Sequence, residues 1–316
     1  MKHYNVMLSI DGLDKPFEEM RAELQRGGHH VTVADSTQYD LKGVEIFIGK
    51  RMTGAQLSEA DCLRAIFAYK TGADEFPVEE LYQRGIPLVN SHVNSDLIAQ
   101  YAVGLAVSLV NRIVNFDRNM RRGNWSLDDP FWKSIFGMRV GLVGYGGIGQ
   151  AADKLLRRMG IATCTLNRGK IYPIPVYDTL PELCGNCDLL ILSLPKTGDT
   201  ANLFDEKMLA HLKGKYIVNV GRSSAIDEAA LYNALSSGML RGAAIDTWRQ
   251  KAKRADERLL PFGHPFEELD NVILSPHKAM QTAEGHARYV YDTLESVKAY
   301  LQDGTLRNTV DLKKGY

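Results

Sequence analysis

Short runs rich in aliphatic residues alternate along this chain with longer stretches in which apolar residues return every three or four positions. The runs at 5–10, 30–34, 45–48, 63–67 and 87–90 are too short for helices and predict strands. Residues 16–26 have helical spacing, open on Pro16 and stop at Gly27-Gly28. Strands separated by helices predict a parallel sheet covered on both faces. Residues 97–120 form a long apolar stretch with small residues (Ala99, Ala102, Gly104, Ala106, Ser108) that permit close packing, and predict one helix bridging into a second domain. Residues 121–137 set Trp125, Phe131, Trp132 and Phe136 among polar neighbours, which predicts either a loop packed on its own core or an arm gripping a second subunit. A second series of runs, at 140–143, 163–166, 189–194, 216–220, 242–245 and 272–274, predicts six further strands. The last helical pattern, 283–302, is expected to return to the first domain.

Composition acts mainly by exclusion. Lys plus Arg and Asp plus Glu both number 38, so no net field draws the chain to nucleic acid or a membrane surface. No apolar run is long enough to span a bilayer. The start, Met1-Lys2-His3-Tyr4-Asn5-Val6, runs straight into a strand without the layout of a signal peptide, which sets a cytoplasmic expectation. Cys184-Gly185-Asn186-Cys187 has C-x-x-C spacing. With no second pair and no paired His nearby, we read these thiols as small buried side chains rather than metal ligands.

One run changes the picture. Val140-Gly141-Leu142-Val143 leads directly into Gly144-Tyr145-Gly146-Gly147-Ile148-Gly149, and a helical pattern follows at 150–159. Between a strand and a helix, G-x-G-x-x-G is a dinucleotide-binding signature, whereas an isolated copy is an ordinary turn. Gly144 permits the tight turn, Gly146 lets the backbone approach a pyrophosphate, and Gly149 lets the helix pack on the strand. The helix N-terminus offers free N–H groups to the phosphates. About twenty residues on, an Asp or Glu normally accepts from the ribose 2′-OH. Here the stretch reads Leu166-Asn167-Arg168-Gly169-Lys170, without an acid and with two cations. Arg suits a 2′-phosphate that a carboxylate would repel, so NADP is expected, with NAD as the alternative. Arg222 follows the 216–220 run and His277 follows 272–274, both just past a strand. Ligands in open α/β sheets bind at that edge. A guanidinium suits a carboxylate, and an imidazole can hand a proton to a carbonyl oxygen.

With these positions in order, the chain resembles the D-2-hydroxyacid dehydrogenase family over nearly its whole length. The likeness is carried by Gly144 to Gly149, Pro195-Lys196-Thr197-Gly198-Asp199-Thr200, Asn219-Val220-Gly221-Arg222-Ser223, Gly242-Ala243-Ala244-Ile245-Asp246 and Ser275-Pro276-His277. It implies an α/β fold of two doubly wound parallel-sheet domains, with a Rossmann-type cofactor domain (97–279) inserted in a flavodoxin-like substrate domain (1–96 and 280–316). The implied reaction is hydride transfer between NADP(H) and a small 2-oxo or 2-hydroxy acid, of the glyoxylate or hydroxypyruvate kind. Arg222 would bind carboxylate and carbonyl, and His277 would be the acid or base. Cofactor contacts would come from Gly144, Gly146, Gly147, Ile148, Gly149, Asn167, Arg168, Lys170, Leu194, Pro195, Thr200, Val220, Gly221 and Asp246, the last holding the nicotinamide carboxamide. Lys70, Thr71, Gly72 and Asn94 would line the substrate side. No metal is implied, and the family fold implies a homodimer formed through the cofactor domain.

Three positions depart from the pattern. The family carries a Glu five residues after the Asp matched by Asp246, and here that residue is Lys251. Gln250, Asp256 and Glu257 are the nearby residues able to turn toward His277 in its place. Ser223 replaces a Gly, and Gln100 replaces a Glu. The displaced acid keeps a second reading open, a catalytically weak nucleotide-sensing interaction protein of the same fold. A methyltransferase, whose glycine loop looks similar, fits neither the strand series nor the Arg and His pair.

Overall fold

The computed structural model describes residues 2–125, 131–250, 252 and 257–316. It divides into two compact units, Met1–Asn94 with Thr282–Tyr316, and Ser95–Gln281. In chain order the first unit contains β1 (Asn5–Ile10), α1 (Lys15–Arg26), β2 (His30–Asp35), β3 (Ile46–Gly49), α2 (Gly54–Glu59), β4 (Ala65–Ala68), α3 (Val78–Arg84) and β5 (Leu88–Val89). The second follows with α4 (Ser95–Val110), α5 (Ile113–Arg121), β6 (Arg139–Val143), α6 (Gly147–Arg158), β7 (Ala162–Leu166), β8 (Val176–Tyr177), α7 (Leu180–Gly185), β9 (Leu189–Leu192), α8 (Glu206–Ala210), β10 (Tyr216–Asn219), α9 (Glu228–Ser236), β11 (Gly242–Ile245) and β12 (Val272–Leu274). The chain then re-enters the first unit as α10 (Ala283–Asp303).

In the first unit five parallel strands lie in the order β2-β1-β3-β4-β5, the flavodoxin-like order, which reverses direction between β1 and β3. All of β3 and β4 is buried, which explains their unbroken apolar runs. Asp14 caps α1 by accepting from Phe17 N at 3.3 Å, and Pro16 sits in its first turn. Packing on α1 is completed by α10, as the terminal helical pattern suggested.

The second unit has a seven-stranded parallel sheet, β12-β11-β10-β9-β6-β7-β8. Counted from β6, this is the doubly wound dinucleotide order with one strand added, and the direction reverses beside β6. Each central strand feeds two cores. Val140 and Leu142 join Leu189, Ile191 and Val218 on one side, while Val143 joins Leu190, Leu192 and Ile217 on the other. On the first side α4 packs against α6.

Two elements differ from the sequence expectation. The stretch 97–120 is not one helix but α4 and α5, separated by Arg112 with φ 56. The apolar content is concentrated in α4, while α5 buries no residue, so nothing selects a straight continuation. The sheet also gains β8, whose two residues are too few to register as a run. Among the described residues no single helix is long and apolar enough to cross a membrane.

Candidate functional site

The glycine turn shows why it needs those glycines. Gly144 holds φ +99, a conformation that side-chain-bearing residues rarely adopt. A Cβ on Gly149 would stand 2.1 Å from Gly144 O, inside the turn itself. A Cβ on Gly146 would meet nothing within 4 Å, so the space in front of that residue is open. The helix begins at Gly147, three residues earlier than its apolar pattern, with Gly146 as its N-cap. Open space before a glycine, at the start of a long helix on the sheet's reversal point, fits a pyrophosphate. Behind the turn, Tyr145 donates to Asp153 Oδ2 at 2.7 Å and Thr163 donates to Asp153 Oδ1 at 2.5 Å. That hydrogen bond adds to burial in holding the Tyr145 hydroxyl above its ordinary pKa.

Past β7, Asn167 shapes its loop rather than facing outward. Its Oδ1 accepts from Gly169 N at 2.9 Å, and its Nδ2 donates to Asp178 Oδ1 at 2.9 Å. Arg168 and Lys170 stand on that loop. Asp178, just past β8, is an acid beside the loop that no spacing argument singled out. Pro195 and Thr200 face one another, since the buried Thr200 hydroxyl donates to Pro195 O at 2.7 Å and so locks the turn after β9. Leu194 and Val220 are buried.

Arg222, Asp246 and His277 follow β10, β11 and β12, three neighbouring strands. Two strand spacings therefore separate the strands carrying Arg222 and His277, about 10 Å. The turn holding Arg222 is built by Asn219, whose Oδ1 accepts from Gly221 N at 3.0 Å and whose Nδ2 donates to Arg222 O at 3.2 Å. Gly221 is required there, because a Cβ would lie 2.6 Å from Leu194 N. Ser223 opens a 3-10 turn without positive φ, so that position does not need a glycine. Asn219 stood inside the quoted motif, where its amide, able both to donate and to accept, was the signal to read.

Asp246 is fully buried. Its carboxylate accepts from Lys278 N at 2.8 Å, from Ala279 N at 3.1 Å and from Ser275 Oγ, while its own carbonyl accepts from His277 N at 2.8 Å. In this structure, then, the carboxylate grips the loop carrying His277. That loop is held in a demanding shape, since His277 has φ 58. Trp248 adds an anchor by donating Nε1 to Ser275 O at 3.1 Å. Of the three residues named as able to turn toward His277, Gln250 and Glu257 are exposed, and Asp256, like Lys251, lies outside the described residues. Gln100 is exposed on α4.

In the first unit Lys70 pairs with Glu75. The Thr71 hydroxyl donates to Ser91 O at 2.8 Å, and Asn90 Nδ2 donates to Thr71 O at 2.6 Å, which ties down the loop leading into Gly72. Asn94 is fully buried and donates to Gly285 O at 2.7 Å, so its amide joins the start of α10 and presents no surface to a ligand. At the reversal between β1 and β3 lies a cavity of about 340 Å³ lined by Asp11, Asp14, Phe17, Lys50, Tyr69 and His286. Across it Asp14 lies 2.7 Å from His286, and Asp11 lies 3.8 Å from Lys50.

The C-x-x-C cysteines are both buried, with Cys164 beside one of them. Cys187 Sγ lies 3.1 Å from Cys164 Sγ, and burial pushes the Cys184 thiol up to about 12. Among the described residues no group of three or more His, Cys, Asp or Glu could hold a metal ion.

Residues 103–279 match the model of the D-isomer specific 2-hydroxyacid dehydrogenase NAD binding domain. The chain belongs to the D-isomer specific 2-hydroxyacid dehydrogenase family. Its cofactor is therefore of the NAD(P) class. The glycine turn of this 2-hydroxyacid dehydrogenase lies inside the matched span, as do Arg222 and His277. Among relatives, a glyoxylate/hydroxypyruvate reductase of Arabidopsis thaliana is 31% identical over 83% of this chain and 80% of its own. A D-3-phosphoglycerate dehydrogenase of Haemophilus influenzae is 27% identical over 84% of this chain and 66% of its own. The fold is shared with an NADPH-dependent glyoxylate/hydroxypyruvate reductase of Sinorhizobium meliloti solved with NADP and malonate, at TM-score 0.81 and 22% identity over 98% of both chains.

Proposed function

We propose that this dehydrogenase reduces small 2-oxo acids of the glyoxylate and hydroxypyruvate kind with NADPH. The observation that carries the reading is the delivery of Arg222, Asp246 and His277 by three adjacent strands of the sheet that also bears the glycine turn. The N–H groups opening α6 hold the pyrophosphate, and Arg168 and Lys170 hold the 2′-phosphate. Bound there, the reduced nicotinamide supplies the hydride. Arg222 binds the carboxylate and draws electron density toward the carbonyl oxygen, where negative charge grows as the carbon is reduced. His277 gives that oxygen its proton and takes it back in the reverse direction. The first unit, through its 71–74 loop, serves as the substrate-binding domain. Trp125, Phe131, Trp132 and Phe136 are exposed, Phe131 by 99%, and supply the arm of a homodimer.

The test is a spectrophotometric screen of 2-oxo acids, with NADPH and NADH run in parallel on the unsubstituted protein and on Arg222→Ala. Turnover with NADPH that drops at least about a hundredfold in kcat/KM in the variant is expected. Cofactor binding without turnover of any 2-oxo acid would end the proposal.

A further inference from the structure

The loop that carries His277 is held from a distance. Asp246, with no exposed surface, accepts three hydrogen bonds on its carboxylate, from Ser275 Oγ and from the N–H groups of Lys278 and Ala279. Ser275 is 4% exposed, and its hydroxyl has a single proton, which goes to the carboxylate. Tyr101 OH lies 2.8 Å from Ser275 Oγ. With the serine proton already used, the tyrosine must be the donor of that contact. Proton stoichiometry thus sets a one-way chain, from Tyr101 O–H to Ser275 O–H to the Asp246 carboxylate. Each donor polarises the next and strengthens it as a donor.

We propose that Tyr101 and Ser275 are positioning residues for His277, acting through Asp246. The proposal rests on the reading of His277 as proton donor, but its structural half does not. Tyr101 stands on α4, a helix whose buried face is packed into the core of the unit, whereas His277 stands on a loop. The hydroxyl pair therefore ties a mobile kind of element to a rigid one. The tie is needed, because His277 holds φ 58 and a loop released from it relaxes toward ordinary backbone. Pro276 lends the loop no N–H of its own, which leaves the Asp246 carboxylate and main-chain carbonyl as acceptors for the amides that follow. Nothing in the local sequence near Asp246 or His277 points to Tyr101, which precedes Ser275 by 174 positions.

The experiment compares Tyr101→Phe, Ser275→Ala and the double variant with the unsubstituted protein. Hydrogen exchange is followed by mass spectrometry over the peptide spanning 275–281, with NADPH affinity and kcat measured alongside. Tyr101→Phe keeps the ring in place and removes only the hydroxyl. Expected are exchange about fivefold faster in that peptide and kcat about tenfold lower, with the NADPH Kd within about twofold. The double variant should be no worse than Ser275→Ala alone, because the tyrosine acts through the serine. Unchanged exchange in Tyr101→Phe, or effects of the two substitutions that multiply, overturns the proposal. If the unsubstituted protein binds NADPH yet reduces no 2-oxo acid while exchange still responds as described, the functional reading falls and the hydrogen-bonded tie stands.

Discussion

At the scale of single residues, two substitutions test the geometry most directly. Gly149→Ala would drive a methyl to 2.1 Å from Gly144 O, a backbone atom that cannot swing aside. The turn must then open, and we expect NADPH affinity to fall at least about tenfold in a fluorescence titration, since phosphate binding depends on that turn. An unchanged Kd would show that the turn is not the pyrophosphate site. Asp246→Asn replaces one acceptor oxygen by an NH2 group facing backbone donors. Unfolding stability should drop by about 2 kcal/mol in urea melts, the scale of a lost hydrogen bond to a charged group. The glycine turn, and the placement of Arg222 and His277 just past their strands, were legible in the sequence because those demands are local: a turn without room for Cβ, and a strand end that presents its next residue. The use made of the Asp246 carboxylate was not legible. Its partners come from residues 275, 278 and 279, and only the pairing of β11 with β12 brings them to it.

At the scale of elements, the proposed preference for NADPH is assigned to the loop from Asn167 to Lys170. Arg168→Ala should weaken NADPH binding about tenfold and leave NADH nearly unchanged, because only NADPH has the phosphate that a guanidinium grips. Parallel titrations with both cofactors decide the matter, and equal losses would count against the loop. Asp178 adds a test of sign. As a carboxylate bonded to Asn167 it opposes a nearby phosphate, so Asp178→Asn should tighten NADPH relative to NADH. The absence of an acid at the end of β7 was visible in the sequence. The presence of one at the end of β8 was not, because β8 is a two-residue strand with no pattern of its own. The break between α4 and α5 escaped for a similar reason, since a single residue at φ 56 leaves the apolar spacing on either side intact.

At the scale of the whole molecule, the exposed aromatics of the 125–136 segment predict association. Phe131→Ser combined with Phe136→Ser should convert a dimer into a monomer in sedimentation velocity, with the fold retained by circular dichroism. A monomeric unsubstituted protein would refute the arm. The doubly wound class of both sheets was already decided in the sequence, because parallel strands covered on two faces need unbroken apolar runs with helices between them. So were the glycine turn and the residues fit to carry chemistry, since steric room and side-chain type are properties of short segments. Tertiary structure alone decided which groups meet: Asp246 with the loop of His277, Tyr101 with Ser275, Asn167 with Asp178. A hydrogen bond needs two atoms within about 3 Å at a favourable angle, and linear order does not state that condition for residues far apart in the chain.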